Sequence, residues 1–133
     1  METCIFCKIA AGKLSSTKVY EDAATLAFLD ISPINKGHIL VIPKKHAVNL
    51  LDVDEKTLSL TMQTVQRIAR ALRKYAAGVN IGQNNDRAAG QIVDHLHFHV
   101  IPRRTNDGLE AWPGGSYKEG EIEAIAEEIK NLL

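Results

Sequence analysis

Residues 94–102 read Asp94-His95-Leu96-His97-Phe98-His99-Val100-Ile101-Pro102, a strict alternation of imidazole and apolar side chains. In a β-strand, alternate side chains share a face. A strand predicted over Ile92–Pro102 therefore carries His95, His97 and His99 on one face and Leu96, Phe98 and Val100 on the other. The apolar face needs a covering layer. The imidazole face is no stability device, because rings ~7 Å apart along a strand repel when all are protonated. Three of the five histidines fall within residues 95–99. Incidental surface histidines, a metal site and phosphoryl or nucleotidyl transfer each fit the alternation, and spacing alone does not separate the last two.

The rest of the chain supplies the covering layers. Lys18-Val19-Tyr20 and Thr25-Leu26-Ala27-Phe28-Leu29 flank Glu21–Ala24 as a predicted hairpin. Turn chemistry over Ser32–Gly37 leads into a strand from His38 to Ile42, stopped at Pro43. Asp52–Glu55 offers helix-capping side chains. Leu58, Met62, Val65, Ile68, Ala69, Leu72, Tyr75 and Ala76 then recur at helical spacing, predicting a helix of roughly 20 residues ended by Gly78. Val79–Gly82 reads as a strand, Gln83–Gln91 as mostly loop, and Glu121–Leu133 as a second amphipathic helix. This order predicts an α+β domain with a mainly antiparallel sheet.

The chain has 133 residues, 16 Lys+Arg against 16 Asp+Glu, and 45% apolar residues. Such a length predicts one domain over 1–133. Zero net charge argues against general nucleic-acid binding. No apolar run approaches the ~20 residues that span a bilayer, and Met1–Cys7 lacks the basic and apolar regions of a secretory signal. The expectation is a cytoplasmic protein with reduced thiols and no membrane partner.

Cys4-x-x-Cys7 is half of a tetrahedral zinc site by spacing. A redox pair and two buried thiols are the alternatives. No strand precedes Cys4, so the thioredoxin-like context is missing. Lys44-Lys45 and Arg103-Arg104 read as solvated basic edges rather than phosphate sites. Leu109–Tyr117 is either a cover for a site or a plain surface loop.

His95-x-His97-x-His99-Val100, preceded by Gly90-Gln91, by Asp30-Ile31-Ser32-Pro33 and by Gly37-His38-Ile39-Leu40-Val41-Ile42-Pro43-Lys44, resembles the histidine-triad nucleotide-binding family. The resemblance runs from Cys4 to about Trp112. It implies a five-stranded antiparallel sheet with two helices, a homodimer, and a purine nucleotide substrate cleaved at its α-phosphorus. It implies no organic cofactor. The leaving group, whether an amine, a second nucleotide or a sugar phosphate, stays open.

By residue match, the resemblance makes His97 the nucleophile and His99 a donor to a phosphate oxygen, with His38 and Gln91 completing the polar surround. Neutral imidazole suits the first task, having a free lone pair near pH 7. Asn84, Gly90 and Ile92 fall near the phosphate or leaving group. Asp30 matches the ribose-binding acid, and Ile31, Phe28, Phe6 and Ile9 the base pocket. Members often carry Ser or Thr where Ile92 stands. His99, in place of Gln, separates the chain from the nucleotidyltransferase branch. Prokaryotic members of this type imply a structural zinc on Cys4, Cys7, His46 and His95.

Overall fold

The computed structural model describes residues 3–133. Helix α1 (Ile5–Ala10) comes first, followed by strands β1 (Lys18–Glu21), β2 (Thr25–Leu29) and β3 (Ile39–Pro43). Helix α2 (Glu55–Leu72), strand β4 (Gly78–Gly82), a 3₁₀ turn (Arg87–Ala89), strand β5 (Phe98–Arg103) and helix α3 (Glu121–Lys130) complete the order. The strands form one antiparallel sheet in the order β1-β2-β3-β5-β4. The expected α+β class and five-stranded sheet are both present.

Local chemistry sets the elements. The Asp22 carboxylate accepts from the Ala24 and Thr25 amides and the Tyr20 hydroxyl, closing the β1–β2 turn. Asp54 caps α2 by accepting from the Thr57 amide. One stripe of α2, with Thr61, Thr64, Val65, Ile68 and Leu72, is buried. Val65, Ile68 and Leu72 share a core with Ala27, Ile39, Val41, Phe98 and Val100. A second core of Phe6, Leu26, Phe28, Leu40 and Ile42 draws alternate residues of β2 and β3. These two strands are thus buried on both faces, which explains their unbroken apolar runs. In β5, His99 pairs with Leu40 and Gly82, so its ring belongs to the face of the second core.

Three expectations need correction. A third helix, α1, begins at Cys4, whose sulfur accepts from the Cys7 amide. Helix α2 ends at Leu72, and Gly78 already opens β4. The strand expected from Ile92 starts only at Phe98. The Leu96 amide donates to the Ala47 carbonyl at 2.8 Å, and His95 Nε2 lies 2.8 Å from the Pro43 carbonyl. Both bonds pull residues 95 and 96 toward the segment after β3, so the alternation does not continue as a ladder through His95. No described helix is long and apolar enough to cross a membrane.

Candidate active site and metal centre

Two clusters meet at the start of β5. Cys4 Sγ, Cys7 Sγ, His46 Nδ1 and His95 Nδ1 all lie within 4.8 Å of one another. Cys4 comes from the α1 N-terminus, Cys7 from its first turn, His46 from the segment after β3, and His95 from the bend before β5. The nitrogens are 3.3 Å apart, and Cys4 and Cys7 stand 3.4 and 3.5 Å from His95 Nδ1. Cys7 is 3.2 Å from His46 Nδ1.

Zinc bonds of ~2.3 Å to sulfur and ~2.0–2.1 Å to nitrogen give tetrahedral edges of roughly 3.3 Å between nitrogens and ~3.6 Å between sulfur and nitrogen. The four residues therefore fit a tetrahedral ion. His95 is fully buried. Its Nε2–H donates to the Pro43 carbonyl, which leaves Nδ1 as a lone pair facing the sulfurs. That bond is the outer-shell contact that orients a metal-binding imidazole. Burial holds the His95 ring down to about 4, against an ordinary 6.5. Burial and the Cys4 thiol push Cys7 up to about 11, a cost that a divalent cation reverses.

In the second cluster, His38 Nδ1 accepts from the Ile34 amide at 3.1 Å, so a neutral His38 carries its hydrogen on Nε2. That hydrogen points to His99 Nδ1 at 2.9 Å. His99 must then accept at Nδ1 and carry its own hydrogen on Nε2. His97 Nδ1 is 2.7 Å from the His95 carbonyl and donates to it, which leaves Nε2 as a free lone pair. Phe6 packs edge-on against the His97 ring at 5.2 Å and against Phe28 at 5.5 Å. Burial lowers His97 and His38, and burial followed by the neighbouring His97 and His38 holds His99 to about 4. All three rings are neutral at neutral pH. One is fixed as a lone-pair donor and one as a hydrogen donor.

Asp30, His38 and His99 also lie close enough together to hold a metal. However, the Ile34 amide makes His38 Nε2 a hydrogen donor, so that atom has no lone pair for an ion. With His95 turned to the thiols and His97 to a carbonyl, the three triad rings do not converge on one point.

Beside His99 opens a cavity of about 660 Å³, lined by Ile34, Ile81, Asn84, Ile101, Leu109 and Trp112 among others. Arg103 and Glu110 also line it.

The family model described as the HIT domain matches residues 11–106. The chain belongs to the HIT family. The adenosine 5′-monophosphoramidase of Schizosaccharomyces pombe is 41% identical over 133 residues, covering 98% of each chain. A crystal structure of a HIT family member from Bacillus subtilis superposes with a TM-score of 0.89 at 43% identity, covering 98% of this chain and 97% of that one. A zinc-bound histidine triad protein from Mycobacterium smegmatis gives 0.79 at 38% identity, covering 99% of each chain.

Set in this HIT protein, the sequence-predicted residues divide. His38, His99 and Asp30 come together with His97 beside them, and of this group only His99 reaches the cavity, which Asn84 also lines. Asp30 spends one oxygen on the Ser32 amide and turns the other to His38 at 3.7 Å. Gly90 takes φ +94°, a conformation that favours glycine, beside the Asn84 side chain. Phe6 and Phe28 are core residues, with Ile9 packed against them. Ile31 and Ile92 stand in solvent, at 99% and 84% exposure.

The structure corrects Gln91. Its Nε2 donates to the Val48 and Val93 carbonyls, and its Oε1 accepts from Asn49 and the Asp86 amide. All four bonding positions of the buried amide are filled, so it staples two loops and has nothing left for a phosphate. Arg103 is not a solvated edge, since it is held by Asp107 and Asn80. Lys44 and Lys45 pair with Glu21 and Asp54. Leu109–Trp112 is a cavity wall. Sequence reasoning missed Asp107, Asn35 and the Ile34 amide; the Asn35–Lys36–Gly37 and Asn106–Asp107–Gly108 turns were the available signals.

Proposed function

We propose that this HIT protein hydrolyses nucleoside 5′-phosphoramidates through a covalent nucleotidyl-histidine on His97. The observation that supports the reading is the hydrogen bond from His97 Nδ1 to the His95 carbonyl, which leaves the Nε2 lone pair free for attack. The Nε2 lone pair attacks the α-phosphorus and the bond from phosphorus to the leaving nitrogen breaks. The amine departs with that electron pair and takes a proton from solvent. Water then attacks the phosphorus and gives up a proton to solvent, the bond to Nε2 breaks, and a nucleoside monophosphate leaves. His99 Nε2–H donates to a non-bridging oxygen, held in that form by His38 and the Ile34 amide. Asp30 receives the ribose hydroxyls of an AMP unit.

An amine is favoured over a second nucleotide by the cavity beside His99. Its wall is largely apolar, its one arginine is already paired, and Glu110 adds negative charge. The fission-yeast relative's name, a monophosphoramidase, supports the same choice.

Cys4, Cys7, His46 and His95 would hold one zinc. Four protein ligands leave no open position, so the ion supplies structure rather than catalysis. The zinc-bound mycobacterial relative supports this part of the reading. Thiol ligands must stay reduced, which favours a cytoplasmic setting. Exposed Met62 on α2, Leu51 in the segment before it and Ile81 on edge strand β4 favour a homodimer. Product analysis over substrates that share AMP and differ in leaving group tests the activity. Release of AMP from amine-leaving substrates is expected, and retention of intact ligand across the panel refutes the reading.

A further inference from the structure

Arg103 sits on β5 on the same face as His99, four residues along, and lines the same cavity. Facing the position of a leaving group, a free arginine would be an anion receptor. It is not free. Nε and Nη2 grip the two oxygens of Asp107 at 2.7 and 3.0 Å. Nη1 donates to Asn80 Oδ1 at 2.7 Å and Nη2 also reaches the Leu109 carbonyl at 3.1 Å. Four donor contacts leave the guanidinium little to offer a ligand.

Asp107 is the better buried partner, with 9% of its side chain exposed against 27% for Arg103. Its carboxylate also accepts from the Arg104 and Leu109 amides and from Asn35 Nδ2. Asn35 in turn donates to the Pro102 carbonyl, and its own carbonyl accepts from the His38 amide. One carboxylate therefore cancels the cavity's arginine, anchors the Leu109–Trp112 wall, and braces the turn that leads to His38.

We propose that Asp107 is a specificity-determining residue: by holding the Arg103 guanidinium, it denies this cavity an anion receptor and biases the enzyme against polyphosphate leaving groups. The inference rests on the reading that the cavity receives the leaving group. Asp107→Asn keeps the size of the side chain but frees the charge. One unit charge near a surface is worth about tenfold in affinity.

The test compares two ligands that differ only beyond the α-phosphate, AMP and ATP, by calorimetry on the full-length protein. In Asp107→Asn, ATP is expected to gain about tenfold over AMP relative to wild type. The double variant Asp107→Asn/Arg103→Gln returns the ratio to its wild-type value. In parallel, kcat/KM for a diadenosine polyphosphate should rise against that for an uncharged alkyl or aryl adenosine phosphoramidate. An unchanged ATP-to-AMP ratio in folded Asp107→Asn overturns the inference. Should that variant fail to fold, Arg103→Gln decides, because it leaves Asp107 unpaired. ATP must then weaken against AMP, and an unchanged or improved ratio overturns the inference. A shifted binding ratio without turnover by wild type refutes the proposed activity and leaves the role of Asp107 standing.

Discussion

The His97 ring and the His95 backbone are joined by a 2.7 Å hydrogen bond, while the His95 ring faces the two thiols. The residue whose carbonyl orients the proposed nucleophile is thus also a member of the candidate metal cluster. His97→Ala removes the lone pair and is expected to lower turnover of an adenosine phosphoramidate by about 10³-fold or more. AMP binding should stay within a few-fold, because Asp30, His38 and His99 remain. Rapid quench of the wild type should trap an acid-labile nucleotidyl-histidine. Undiminished turnover by the folded variant excludes covalent catalysis at this residue.

Purified protein that has never met a chelator is expected to carry about one zinc per chain by elemental analysis, and less than about 0.2 would remove the metal assignment. Cys4→Ser should lose the metal and lower Tm by about 5 °C or more. The loss has a structural reach. Without the ion, the His95 ring is held by its bond to Pro43 and by weak contacts to the two thiols, and the carbonyl that fixes His97 loses part of its support. Turnover should therefore fall with the zinc content although no reaction step uses the ion.

How far the sequence goes is visible in the histidines. The apolar periodicity of α2 and the double-sided apolar runs of β2 and β3 place the sheet and its layers, since burial of those residues dominates their energetics. His99 is legible because β5 keeps its period from Phe98, and His97 stands directly before that strand. His95 breaks the pattern because a backbone carbonyl from β3 and a cysteine pair some ninety residues away pull it aside. Gln91 misleads for a related reason: its role is set by Val48 and Asn49, loop neighbours that no local spacing reveals. The short helix α1 escapes notice because cysteine is a weak capping signal.

The acid limb of activity should lie well below the ordinary histidine range. Burial and its imidazole neighbours hold His99 to about 4, against 6.5 for a free side chain. Above 6.5 the ring is neutral in both folded and unfolded chains, and its contribution to stability is fully present. As pH falls from 6.5 toward about 4, the unfolded chain takes up the proton first, so stability is lost across that window. Protonation within the fold also adds a hydrogen to Nδ1, where His38 now donates. Activity should hold at pH 6 and fall below about 5. A kcat/KM profile over pH 4–8 checks this, and a midpoint at or above 6.5 contradicts the buried, neutral pair.

Gly37 supplies a test of the turn that presents His38. Its φ is +98°, and a Cβ there would stand 2.8 Å from Tyr75 Cε2 and 3.2 Å from Pro102 Cγ. Gly37→Ala therefore meets both a conformational penalty and a steric one, and is expected to cost about 1–3 kcal/mol in chemical denaturation. The two parts separate. Adding Tyr75→Ala removes the ring that the new methyl strikes and should recover part of the loss, while the positive φ keeps the rest. Turnover should drop as well, because the same turn holds the Ile34 amide against His38 Nδ1 and so sets which hydrogen His99 carries. A Gly37→Ala protein with wild-type stability would mean that the turn relaxes freely. In that case the His38 tautomer is not held by backbone geometry.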